Sequence, residues 1–162
     1  MNDLATNEAL WEALQTQCVT AVMTRYGVAC DEGDRDGIAA LFHPDATAVY
    51  DVDADLTGHQ VIADWIIGAT AHLAWQQHAL RVMRVDLDGD RASVVSYLTS
   101  HQVATTTPDV ALMMNSRYDT ELELADGVWL IRSLRLVVGT IEHRPVQFGS
   151  LIAADQAEVA HV

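Results

Sequence analysis

Asp31 and His78 are the side chains whose settings in this sequence most need a partner. Asp31 lies in Tyr26-Gly-Val-Ala-Cys-Asp31-Glu-Gly-Asp34, where a helix pattern reaches its end. A carboxylate there faces the negative pole of the helix dipole, a placement that costs roughly 0.3–1 kcal/mol unless a cation or donor answers it. His78 opens a long strand pattern with Leu80, Val82 and Val85, and an imidazole buried among such residues also needs a polar partner. A carboxylate on one ring nitrogen fixes the tautomer, favours the imidazolium that forms, and leaves the other nitrogen as a general base. If the two residues meet, they could take a proton from carbon. A helix-end carboxylate and a satisfied core histidine are the alternative.

Other side chains could serve the same chemistry. Tyr26 and Tyr50 could hydrogen-bond a leaving hydroxyl or an enolate oxygen, although the helical spacing of Tyr26 equally suits a core aromatic. His101 alternates with Tyr97 and Thr99 in a polar stripe that lines a wet cavity or faces solvent. Asn115 shares its register with Met113 and Arg117, so a pocket amide is a second possibility. Trp65, Trp75, Met83, Met113 and Met114 read mostly as core. Any of them that line a cavity imply an apolar and sizeable ligand, because pockets are mainly hydrophobic with few polar anchors. Arg117, Arg132 and Arg135 read as sheet-face or ion-pair residues rather than anion clamps.

Composition narrows the classes. The 162 residues make one domain with a real core. A net charge of −14 argues against nucleic acid or an anionic membrane as partner, because phosphates are repelled. All nine basic residues are arginine, which removes lysine Schiff-base chemistry and a Walker-type phosphate loop. There is no Gly-x-Gly-x-x-Gly, Gly-x-Ser-x-Gly or Cys-x-x-Cys, and His72 and His78 lack a third ligand at a useful spacing. No metal and no cofactor is therefore expected. Cys18 and Cys30 lie too far apart on one helix to bridge. Met1-Asn-Asp-Leu-Ala-Thr has neither the positive start nor the apolar run of a signal peptide, and no stretch approaches the ~20 apolar residues of a membrane span. The expectation is a cytoplasmic protein.

The elements that must position these residues follow from periodicity. Apolar residues at helical spacing over 7–31 (Leu10, Leu14, Cys18, Val22, Tyr26, Ala29) predict a helix that Gly33 stops. Asp34 caps a second short helix through Ile38, Leu41 and Phe42. Pro44-Asp45 turns into a strand over Ala46–Asp51, and Gly58 precedes a third helix at 59–73 with Val61, Ile62, Trp65, Ile66 and Ala69 inward. Four long strands follow at 75–87, 91–106, 110–124 and 128–143, separated by Asp88-Gly89-Asp90, Thr107-Pro108-Asp109 and Asp126-Gly127. Helices first and antiparallel strands afterwards predict an α+β domain with the helices on one face of a curved sheet. The domain is expected to span 1–146, with a tail over 147–162.

The element order, the segment Tyr26-x4-Asp31-x2-Asp34-x3-Ile38-x2-Leu41-Phe42-x-Pro44-Asp45-Ala46, Gly58, and Asp126-Gly127-Val128-Trp129 resemble the SnoaL-like branch of the NTF2-like, or cystatin-like α+β cone, superfamily. The likeness covers roughly residues 8–145. It is greatest to the group with scytalone dehydratase, hexachlorocyclohexane dehydrochlorinase and bile-acid 7α-dehydratase, whose His–Asp dyad drives eliminations. The resemblance implies that His78 and Asp31 are that dyad. It matches Tyr26 to a tyrosine of the bile-acid enzyme and Tyr50 to a water-holding tyrosine of scytalone dehydratase. His101 falls near a second histidine of the latter. The chain departs from the pattern at Cys30, where another water-holding tyrosine is expected, and at Val138, where the bile-acid enzyme carries arginine.

The resemblance further implies a homodimer formed through the exposed sheet face. The function it implies is a cofactor-independent lyase of dehydratase type acting on a hydrophobic cyclic substrate. Tyr26 or Tyr50 would assist the leaving group, with Trp65, His101, Met113 and Asn115 as substrate contacts. An isomerase or cyclase using the same base is the alternative. So is a non-catalytic binding or assembly module, as in the β subunits of ring-hydroxylating oxygenases.

Overall fold

The computed structural model describes residues 2–50 and 54–147. Helix α1 (Asn2–Glu32) opens the chain, followed by α2 (Arg35–Leu41), β1 (Phe42–Val49), β2 (Asp55–Thr57) and α3 (His59–Thr70). The long strands β3 (Leu73–Asp88), β4 (Arg91–Ala104), β5 (Val110–Ala125) and β6 (Val128–Pro145) complete it. One six-stranded sheet runs in the order β2-β1-β6-β5-β4-β3, antiparallel throughout except for the parallel β1–β6 pair. Three helices packed on one face of a curved, mostly antiparallel sheet make this an α+β cone, the architecture the resemblance implies.

Local chemistry accounts for the elements. Gly33 takes φ +65°, the left-handed value that ends α1. Asp34 accepts from the Gly37 N–H at 2.9 Å and starts α2. At Asp126-Gly127 both φ values are positive, 50° and 81°, as a two-residue hairpin with the right-handed sheet twist requires. The four long strands lie close to their expected ends.

Three details differ from the sequence reading. Phe42 leaves α2 and begins β1, with Pro44 inside the strand at an irregularity between Phe42 and Thr47, where an unpaired residue tolerates the missing N–H. Strand β2 was not foreseen, because three residues are too few to show an alternation. Leu10, Leu14 and Cys18 are exposed, as are Val61 and Ala69. Only the C-terminal half of α1 lies on the sheet, burying Val19, Val22, Met23 and Tyr26 at about 1.5–3 kcal/mol for each large apolar side chain. The tail beyond Gln147 falls outside the described residues.

Packing brings α1 to β3 at one place. A Cβ added at Gly27 would stand 3.8 Å from the Leu80 Cβ and 3.9 Å from the His78 Cβ. The side-chain-free turn of α1 thus rests against the strand that carries the histidine. The core is formed by Met23, Tyr26, Ile38, Phe42, Ile62, Leu122, Ile131 and Leu134, between the helices and the concave face of the sheet. Tyr97 and Val137 stay exposed on the opposite face, where the resemblance expects the dimer contact.

Candidate active site

The end of α1 and the start of β3 bring Asp31 and His78 together. His78 Nδ1 lies 2.5 Å from Asp31 Oδ1, and the His78 backbone N–H donates to Asp31 Oδ2 at 2.9 Å. An ionised carboxylate only accepts, so the ring hydrogen sits on Nδ1 and the lone pair on Nε2. Two donors from β3 answer the carboxylate at the negative end of the helix, where the last turn of α1 holds no basic residue. The His78 side chain is 11% exposed and lines a partly open cavity between the helices and the sheet; Asp31, at 25%, borders a separate, more open cleft behind it. The imidazole therefore stands between a carboxylate and the cavity.

That cavity measures about 210 Å³. Trp65, Ile66, Leu98, Met114 and Leu136 give it apolar walls, and Tyr26, Tyr50, Tyr118, Ser100, Ser116 and Gln102 give it polar points. No arginine reaches it: Arg117 pairs with Asp119, and Arg132 lies between His43 and Glu123. Among the described residues, no group of three or more His, Cys, Asp or Glu side chains gathers as a metal site would require.

The phenols form one buried cluster. The Tyr26 and Tyr50 hydroxyls are 2.8 Å apart, the Tyr50 ring stacks on Trp65 at 4.8 Å, and Tyr26 meets Tyr118 and Phe42 edge-on. Burial raises Tyr26 and Tyr50 well above the phenol value of 10.0, and raises Tyr118 too, with neighbouring acidic groups adding to it. Burial pushes the Cys30 thiol from 9.0 up to about 12, so it is a wall residue rather than a nucleophile. All four groups stay neutral in the fold, which leaves the tyrosines as hydrogen-bond donors.

The same shifts set an alkaline limit. The fold favours the protonated form of each group, so the stability they contribute is complete below their ordinary values of 9.0 to 10.0 and is lost as the pH climbs above them. In a spectrophotometric titration, phenolate absorbance from Tyr26, Tyr50 and Tyr118 should appear only as the protein unfolds. Ionisation of these three near pH 10.0 in protein that circular dichroism shows to be folded would contradict the buried cluster.

Of the residues singled out in the sequence, Asp31, His78, Tyr26, Tyr50 and Trp65 meet at this site. His101, Met113 and Asn115 do not. They pair across β4 and β5 on the face turned away from the helices, where Asn115 bridges Thr99 and Thr140 by hydrogen bonds of 2.9 and 3.1 Å. Along β4 the buried face is taken by Ala92, Val94, Ser96, Leu98 and Ser100, which turns His101 the other way. What sets His78 with the buried face rather than with His101 is a bulge in β3 between Val82 and Arg84. Extended without it from the Asp88–Arg91 pair, β3 would set His78 opposite His101; the bulge sets it opposite Ser100. A slip of one residue exchanges the faces of a strand.

Ser100, Ser116, Tyr118 and Gln102 were missed for the same reason. The Ser100 and Ser116 hydroxyls are buried in the cavity wall without a hydrogen-bond partner. The signal available was their alternation with buried residues, Ser100 with Ser96 and Leu98 on β4 and Ser116 with Tyr118 and Thr120 on β5.

A model of the SnoaL-like domain matches residues 11–135, and the chain belongs to that family. Solved structures agree with its fold. A candidate scytalone dehydratase from Novosphingobium aromaticivorans is 18% identical, covering 84% of this chain and 91% of its own, with a TM-score of 0.76. The hexachlorocyclohexane dehydrochlorinase LinA-type3 from Novosphingobium barchaimii is 13% identical, covering 87% and 98%, with a TM-score of 0.77. An NTF2-like protein with a cystatin-like fold, also from N. aromaticivorans, is 19% identical over 85% and 91%, with a TM-score of 0.71. No curated protein matches the sequence. No helix among the described residues is long and apolar enough to cross a membrane.

Proposed function

We propose that the protein is a cofactor-independent lyase that removes a proton from a neutral cyclic substrate and expels water or another β-leaving group. The observation that carries this reading is the His78–Asp31 pair set in the wall of a largely apolar, partly open pocket. Nε2 of His78 takes the proton from carbon, and Asp31 holds the ring and stabilises the imidazolium, the role an aspartate plays in hydrolase triads. Tyr26, its hydroxyl in contact with Tyr50, donates to the departing oxygen. Two structural relatives, a candidate scytalone dehydratase and a hexachlorocyclohexane dehydrochlorinase, carry names of elimination enzymes and support this direction.

The cavity limits the substrate. A space of about 150 Å³ holds benzene, so 210 Å³ has room for one ring or two fused rings inside the pocket. With no cation in the wall, a carboxylate substrate would go unpaired. The free hydroxyls of Ser100 and Ser116 favour a ring bearing oxygen.

The buried phenols support a second reading, isomerisation, because neutral donors can hold an enolate while the base returns its proton to another carbon. Incubating the protein in deuterated water with one- and two-ring β-hydroxy ketones separates the two by mass spectrometry. Loss of water is the result expected for a lyase. Retained mass with deuterium uptake assigns the isomerase, and neither change across such a panel removes both.

A further inference from the structure

Gln76 precedes His78 by two residues on β3, so both side chains leave the same face of the strand. Its Nε2 donates to the Cys30 carbonyl at 2.6 Å. That carbonyl belongs to the last turn of α1, where helical partners run out; the Gly33 N–H, at 3.2 Å, is its other donor. The next residue along the chain is Asp31.

Three hydrogen bonds thus tie the end of α1 to the start of β3: one from the Gln76 amide, and two from His78 to the two carboxylate oxygens. The Gln76 bond lands on the backbone that carries the carboxylate. It therefore fixes the Asp31 main chain from a point outside the pair.

The amide is also singly determined. Gln76 Oε1 is buried and has no hydrogen-bond partner. Turned over, the amide would set that oxygen against the Cys30 carbonyl oxygen, so the one bond to Cys30 decides its orientation. A buried amide oxygen left unpaired costs stability that an apolar side chain of similar length would not. Packing alone therefore does not account for a glutamine here.

We propose that Gln76 is a positioning residue for the His78–Asp31 pair: by gripping the Cys30 carbonyl it sets where the carboxylate stands against the imidazole. This deepens the reading of the pair as a base and its orienting carboxylate, and its test reads the pair itself rather than turnover. The alternative is a helix-end contact that serves stability only.

Proton NMR of nitrogen-15-labelled protein separates the two. The wild type should show a downfield, slowly exchanging His78 Nδ1–H resonance, assigned by its loss in Asp31→Asn. In Gln76→Leu, measured well below that variant's melting temperature, exchange of this proton should be faster by roughly 2- to 10-fold, the scale of one lost hydrogen bond. An unchanged resonance and exchange rate in Gln76→Leu, with only the melting temperature lowered, would overturn the proposal. So would a wild type lacking the resonance. Should Gln76→Leu fail to fold, Gln76→Met keeps the chain length and gives the same comparison. A protein whose pair passes this test but turns over no substrate would sink the lyase reading and leave this one standing.

Discussion

Replacing His78 with alanine is expected to lower turnover by at least ~10²-fold, within the range that a positioned general base contributes, while the fold persists. The His78 side chain lies at the cavity wall, bonded to Asp31 rather than locked in the deepest core, so its removal leaves a small gap and a solvent-reachable carboxylate. Asp31→Asn should have an effect of similar or greater size by a different route. An asparagine can offer N–H to Nδ1, which draws the ring into the tautomer with its hydrogen on Nε2 and removes the lone pair from the cavity side. In the serine-protease triad the same exchange costs about 10⁴ in kcat. Steady-state kinetics on a substrate found in the deuterated-water screen, with circular dichroism as the control for folding, would decide the matter. Near-normal turnover in either folded variant takes the pair out of the mechanism.

The second large effect is expected at the phenols. Tyr26→Phe removes the hydroxyl that meets Tyr50 at 2.8 Å and, on the proposed reading, the donor to the departing oxygen. Loss of a single such donor typically costs ~10²-fold in kcat. Stability should fall as well, by about 1–3 kcal/mol, because the Tyr50 hydroxyl is left buried without its partner. Tyr50→Phe provides the comparison. It leaves the Tyr26 hydroxyl in place with Tyr118 and Cys30 still beside it, so its kcat and its melting temperature should both fall less. Equal kcat losses in the two variants would mean that the phenols act only through the shape of the cavity, and an unchanged kcat in Tyr26→Phe would remove the tyrosine from the chemistry.

Both predictions depend on residues that the chain advertises locally. Asp31 stands out because a carboxylate at the end of a helix is electrostatically misplaced, and His78 because an imidazole within an apolar strand requires a partner. Tyr26 stands on the apolar stripe of α1, which marks it as inward-facing, and only the resemblance gives it a chemical role. Their meeting is a tertiary event, yet each residue carries half of the reason for it: the carboxylate lacks donors, and the strand supplies two.

The other half of the cavity behaves differently. His101, Met113 and Asn115 carry the chemical character expected of substrate contacts, but they face away from the helices. Ser100 and Ser116 are unremarkable in the sequence and stand in the wall. In β3 the apolar alternation slips phase from Leu80 and Val82 to Val85 and Leu87, and the extra residue lies in that gap; until a partner strand fixes the register, such a slip does not say which half of the strand shares a face with which residues of β4. The exposure of Leu10, Leu14 and Val61 has a related origin: helical periodicity shows that a stripe exists, but not how far along the helix the sheet extends to cover it.

The sequence by itself therefore determined the three helices, the long strands, their order and the α+β class, since glycine dihedrals, caps and apolar periods act over a few neighbouring residues. It also picked out the histidine and the carboxylate, each through a local electrostatic need. Only the tertiary structure decided which side chains share the cavity with them, how large that cavity is, and that among the described residues its wall carries no charge apart from what the imidazole acquires. Strand register is a cooperative property of the whole sheet, and one bulge in β3 turns the residues beyond it to the other face.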